Sequence, residues 1–76
     1  MSELEWMDIF SENLASILQD VDATQRDLAE MTGLSEASIS NYINKKRLPN
    51  AKAILNIAYA LNCSTDDLID FGDTID

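Results

Sequence analysis

The stretch at 24–46, TQRDLAEMTGLSEASISNYINKK, constrains this chain more than any other. Leu28, Ala29 and Met31 give residues 25–32 a short helical apolar pattern, which Gly33 interrupts. A second short helix is expected after Ser35, with Ile39, Tyr42 and Ile43 on its inner side. The local chemistry agrees at each junction. Thr24 is an N-cap type, and Asp27 stands where a capping-box acid bonds back to the cap. Gly33 takes a positive φ without steric cost, as a sharp helix exit requires. Ser35 is placed to cap the second helix with its hydroxyl. Small Ala29 lets the two helices cross closely, and Ile39 fills the angle between them. Glu36, Ala37, Ser40, Asn41 and Asn44 then fall on the opposite, solvent-facing side.

Three more helices are expected around this pair. Phe10, Leu14, Ile17, Leu18 and Val21 recur at three- and four-residue spacing and predict a helix over 6–21 with one buried stripe. Trp6, Met7 and Ile9 extend its apolar surface, either over the open end of the core or toward a dimer or partner contact. Residues 1–5 are expected to form a flexible N-terminus. Asn50 can cap a helix over 51–61, with Ile54, Leu55, Ile57, Ala58 and Leu61 on its inner face and Asn62 as a left-handed stop. Ser64 and Asp67 supply a capping box for a last helix over 65–71, with Leu68, Ile69 and Phe71 facing inward. Gly72 ends it, and 73–76 form a flexible tail. No segment alternates at period two over strand length. The expected fold is all-α: five helices about one core, with the domain spanning 6–72.

Charge is distributed unevenly. The 76 residues carry a formal net charge of −9. All five basic residues, Arg26, Lys45, Lys46, Arg47 and Lys52, fall within 24–52, beside only three acids, Asp27, Glu30 and Glu36. That window is net +2, while the other eleven acids lie outside it. A basic middle between acidic ends can face phosphates while the ends repel them; a solubilising acidic surface is the plainer account of the ends.

Catalysis finds no residues to carry it. There is no histidine, and the sole cysteine, Cys63, falls at an apolar position without a base beside it. One cysteine fits a reducing compartment. Asp66 and Asp67 read as partners of a helix N-terminus rather than metal ligands. No apolar run approaches the ~20 residues of a membrane span, and MSELEWMD lacks a secretory pattern. A cytoplasmic non-enzyme, without cofactor, metal or small-molecule ligand, is expected.

Thr24-Gln25-x-x-Leu28-Ala29, Gly33-Leu34-Ser35, Ser38-Ile39-Ser40-x-Tyr42 and Pro49 together resemble the Cro/CI-type (XRE) helix-turn-helix family of phage and bacterial repressors. The resemblance covers roughly 9–71. It implies a compact five-helix, lambda-repressor-like DNA-binding domain, with helices 2 and 3 forming the helix-turn-helix. By the same resemblance, Glu36, Ala37, Ser38 and Asn41 are the base-reading positions. Chemically, Asn41 can bridge adenine N6 and N7, and Ala37 can pack on a thymine methyl. Glu36 either accepts from cytosine N4 or simply favours the helix N-terminus. Phosphate contacts are expected from Gln25, Arg26, Ser35, Ser40, Asn44, Lys45, Lys46, Arg47 and Lys52. Three departures from the family stand out. Asp22 and Lys45 occupy helix ends where relatives often carry glycine. Leu18 and Ile43 replace an ion pair, so an apolar contact between the first and third helices is expected.

The resulting expectation is a sequence-specific, double-stranded DNA-binding transcriptional regulator, a repressor of phage or mobile-element type. One module reads half a site, so a weak homodimer on a palindromic operator is implied. The alternative is an acidic helix-turn-helix interaction module, an antitoxin or anti-regulator, with little DNA binding of its own.

Overall fold

Side-chain caps decide where the helices begin. In the computed structural model, which describes residues 2–69, these are α1 (Glu3–Asp20), α2 (Gln25–Thr32), α3 (Glu36–Ile43), α4 (Ala51–Ala60) and α5 (Thr65–Ile69). Ser2, Thr24, Ser35 and Asn50 accept the N–H of Glu5, Asp27, Ser38 and Ala53, respectively. Thr24–Asp27 and Ser64–Asp67 bond reciprocally, as the expected capping boxes do. α1 begins three residues ahead of the expected start at Trp6. Its cap, Ser2, lies beyond the apolar stripe, so the stripe alone could not locate it; residues 3–5 are helical. Phe71, Gly72 and the tail at 73–76 lie outside the described residues.

Three helices end through a left-handed residue that is not glycine: Asp22 (φ 56), Lys45 (φ 62) and Asn62 (φ 55). After each, the next amide reaches back to a carbonyl five residues earlier. Ala23 N–H bonds Leu18 O at 2.9 Å, Lys46 N–H bonds Asn41 O at 2.8 Å, and Cys63 N–H bonds Ala58 O at 2.9 Å. This is the Schellman closure. Asp22 and Lys45 thus do the work of the family glycine, at a backbone cost of roughly 1–2 kcal/mol per residue. The stop at Asn62 is as expected.

Every helix sends a side chain into the core. Phe10 and Leu14 of α1, Leu28 of α2, Ile39 of α3, Ile57 of α4 and Leu68 of α5 are fully buried. Trp6 stacks on Phe10 with ring centroids 5.9 Å apart, and Phe10 meets Tyr42 edge-on at 6.1 Å. Trp6 therefore covers the open end of the core. Leu18 belongs to this core and Ile43 packs against it, so apolar packing holds α1 to α3. Three expected apolar positions are corrected: Met31, 49% exposed, lies off the face of α2 that Leu28 buries. Val21 is 50% exposed because it is the C-cap of α1, where the stripe has already ended at Leu18. Leu55 is 61% exposed: Ile54, Ile57, Ala58 and Leu61 fix the buried face of α4, and Leu55 lies a third of a turn off it. Cys63 is half-buried rather than buried. Its thiol is held above its ordinary pKa by burial, then by the Asp67 carboxylate, and so stays protonated at neutral pH.

The Asp27 carboxylate is held below its ordinary value of 3.8, first by the Thr24 backbone N–H, then by the Thr24 side chain. A depressed folded-state pKa adds stability above the unfolded value and loses it as pH falls through the folded one. Asp27→Asn is expected to lower the urea midpoint at neutral pH. Its deficit against the parent should fade below about pH 4.

Candidate nucleic-acid interface

The pose of α3 is set by packing and by two long-range polar tethers. Ile39 and Tyr42 anchor its inner side in the core. From α1, buried Ser11 donates to the Tyr42 carbonyl at 2.5 Å, fixing the C-terminal end of α3. From α4, Asn56 Nδ2 donates to the Thr32 carbonyl at 2.8 Å, fixing the end of α2 just before the turn at Gly33. Gly33 itself is left-handed (φ 76), and its N–H bonds Ala29 O at 2.9 Å. A third tether, Asn13 Nδ2 to the Leu68 carbonyl at 2.9 Å, holds α5 on α1. None of these tethers was singled out from sequence. The available signal was a polar residue at the border of each buried stripe. Asn56→Ala is expected to cost about 1–2 kcal/mol, because it strands the Thr32 carbonyl; urea denaturation of the variant measures this.

The outward face of α3 begins with Glu36 and Ala37, both exposed. Ser38, Ser40 and Asn41 are half-buried beside them. Ser38 lies close to the cap, accepting from the Ser35 hydroxyl at 2.9 Å. Asn44 Nδ2 donates to Ser40 Oγ at 3.0 Å, which ties the helix end to its last turn. A cleft of about 250 Å³ runs beside α3 to the start of α4, lined in part by Ser38, Arg47, Asn50 and Lys52. The fold therefore brings Arg47 and Lys52 to one side of the second motif helix, although the chain separates them from Ser38. Gln25 and Arg26 stand at the start of α2, with Gln25 half-buried and Arg26 exposed.

The basic residues differ in their engagement. Arg26 Nε lies 3.8 Å from Glu30 Oε1, one helical turn on, and both side chains are solvated. Such a pair contributes little and leaves the guanidinium available. Lys45 Nζ lies 3.3 Å from Asp8 Oδ1 and 4.0 Å from Glu12 Oε1, across the α1–α3 junction. Among the described residues, Lys46, Arg47 and Lys52 enter no ion pair, and all three are exposed.

Two short helices joined by a left-handed glycine, the second held outward beside a basic cleft, define a helix-turn-helix DNA-binding module. A family model described as the Cro/C1-type HTH DNA-binding domain matches residues 13–73. The chain belongs to that family. No curated protein and no solved structure matches it. Among the described residues, no helix is long and apolar enough to cross a membrane.

Proposed function

We propose that this protein is a sequence-specific, double-stranded DNA-binding regulator of the repressor type, from a phage or mobile element, acting in the cytoplasm on the nucleoid. The observation that carries this reading is the exposed start of α3, Glu36 and Ala37, set beside a cleft that gathers Arg47 and Lys52. An α-helix fits the major groove and meets base edges with its first turns. Glu36, Ala37, Ser38 and Asn41 are the base-reading side chains. Gln25, Arg26, Ser35, Ser40, Asn44, Lys46, Arg47 and Lys52 meet the flanking phosphates, which set register rather than sequence preference. Lys45 is set apart from that group by its two carboxylate neighbours.

Two copies on a palindrome supply the second half-site. If each protomer neutralises ~3–4 phosphates, log K should fall against log salt with a slope of roughly −6. A filter-binding series over ionic strength reads this slope. A flat dependence, or no binding at low salt, contradicts the proposal. The interaction-module reading draws on one observation, the exposed Leu55 and Tyr59 one turn apart on α4 of a strongly acidic chain. Absence of duplex binding together with tight capture of a protein partner would favour it.

A further inference from the structure

We infer that Asp8 and Glu12 are built-in competitors of phosphate for Lys45. On this reading Lys45 is partnered by α1 rather than by DNA, and the two carboxylates limit affinity for every duplex alike. The inference rests on the DNA-binding reading above.

Asp8, Ser11 and Glu12 follow at three- and four-residue spacing and so share one face of α1. Ser11 is buried on that face and holds the Tyr42 carbonyl at 2.5 Å. The position of this face against the end of α3 is thus fixed from within the core. The two flanking carboxylates converge on one ammonium, Oδ1 of Asp8 at 3.3 Å and Oε1 of Glu12 at 4.0 Å. The lysine is delivered there by its own backbone. It sits left-handed at φ 62, and the turn is closed by the Lys46 N–H on Asn41 O at 2.8 Å. Its neighbours Lys46 and Arg47 continue the chain toward the cleft beside α3, which Arg47 lines.

All three charged side chains remain solvated, at 42% exposure for Lys45, 55% for Asp8 and 72% for Glu12. The pair itself therefore adds little stability. Its consequence is electrostatic. The two carboxylates occupy one of only five cations in the chain. Such a device lowers binding to every duplex by the same factor and leaves base readout to α3.

The test compares four proteins on a random-sequence duplex between about 50 and 200 mM salt: the parent, Lys45→Gln, the double variant Asp8→Asn/Glu12→Gln, and the triple variant. Asp8→Asn and Glu12→Gln are isosteric, all three positions are solvent-exposed, and circular dichroism verifies that each protein is folded. Lys45→Gln should leave the salt slope unchanged. The double variant should bind several-fold more tightly at 50 mM, with a slope steeper by about one unit per protomer. The triple variant should lose most of that gain. A slope flattened by about one unit in Lys45→Gln would identify an ordinary phosphate ligand and overturn the inference. So would a gain that survives in the triple variant. Either result with a parent that binds DNA leaves the DNA-binding reading intact. Absence of binding by all four proteins overturns that reading and this one together.

Discussion

Replacing Phe10 with alanine is expected to remove about 3–5 kcal/mol of stability. A domain of this size has a total on the order of 4–11 kcal/mol, so the variant should be largely unfolded at modest urea concentrations. The magnitude follows from position. Phe10 is fully buried, with Trp6 stacked on one side and Tyr42 edge-on at 6.1 Å. Removing the ring opens a cavity that the surrounding helices fill poorly, and it loosens Tyr42, whose carbonyl is the anchor taken by Ser11. The consequence extends to function, because Tyr42 seats the C-terminal half of α3. Tyr59→Ala provides the contrast: at 89% exposure it should stay within about 0.5 kcal/mol of the parent. Urea denaturation followed by far-ultraviolet circular dichroism measures both. A loss below about 1 kcal/mol for Phe10→Ala would mean that the aromatic stack does not organise the core.

The second large effect concerns DNA. Asn41→Ala is expected to cost about 1–3 kcal/mol on the cognate site and to relax preference at one base pair. The side chain is half-buried on the outer side of α3, one turn beyond exposed Ala37. Lys46→Ala should behave differently. It should weaken all duplexes alike and flatten the salt slope by about one unit, as its proposed role of phosphate contact requires of an exposed ammonium in the turn after α3. Competition titrations with cognate and mismatched duplexes separate the two. Equal losses on every sequence for both variants would show that the roles have been assigned wrongly.

The helix-turn-helix was largely readable from the chain because its determinants are local. Thr24, Asp27, Gly33 and Ser35 each act within four residues of their own position, and each makes the bond or the dihedral its type predicts. The core stripe was readable wherever period and helix length agreed, as at Phe10, Leu14 and Leu18. It failed at Val21 and Leu55, where an apolar residue sits at the end or edge of a stripe and only the neighbouring helix decides its burial. Ser11, Asn13 and Asn56 were not singled out because their partners are backbone carbonyls 31, 55 and 24 residues away. Pattern cannot see such a carbonyl. The same limit applied to Lys45. In sequence it joins a run of three basic residues, KKR; in space its ammonium also lies 3.3 Å from Asp8 of α1, a pairing that the run does not announce. The candidate base-reading residues were legible as positions on one helix. The pairing of the surrounding charges required the fold.

On the proposed function, α3 reads DNA sequence from the major groove, in pairs. Selection of bound molecules from a random duplex library by the intact protein tests it most directly. An inverted repeat whose half-site centres lie about one helical turn apart, about 10–10.5 base pairs, is expected to be enriched, with Asn41→Ala relaxing one position in each half. Recovery of a pool with no enriched sequence at low salt would contradict it.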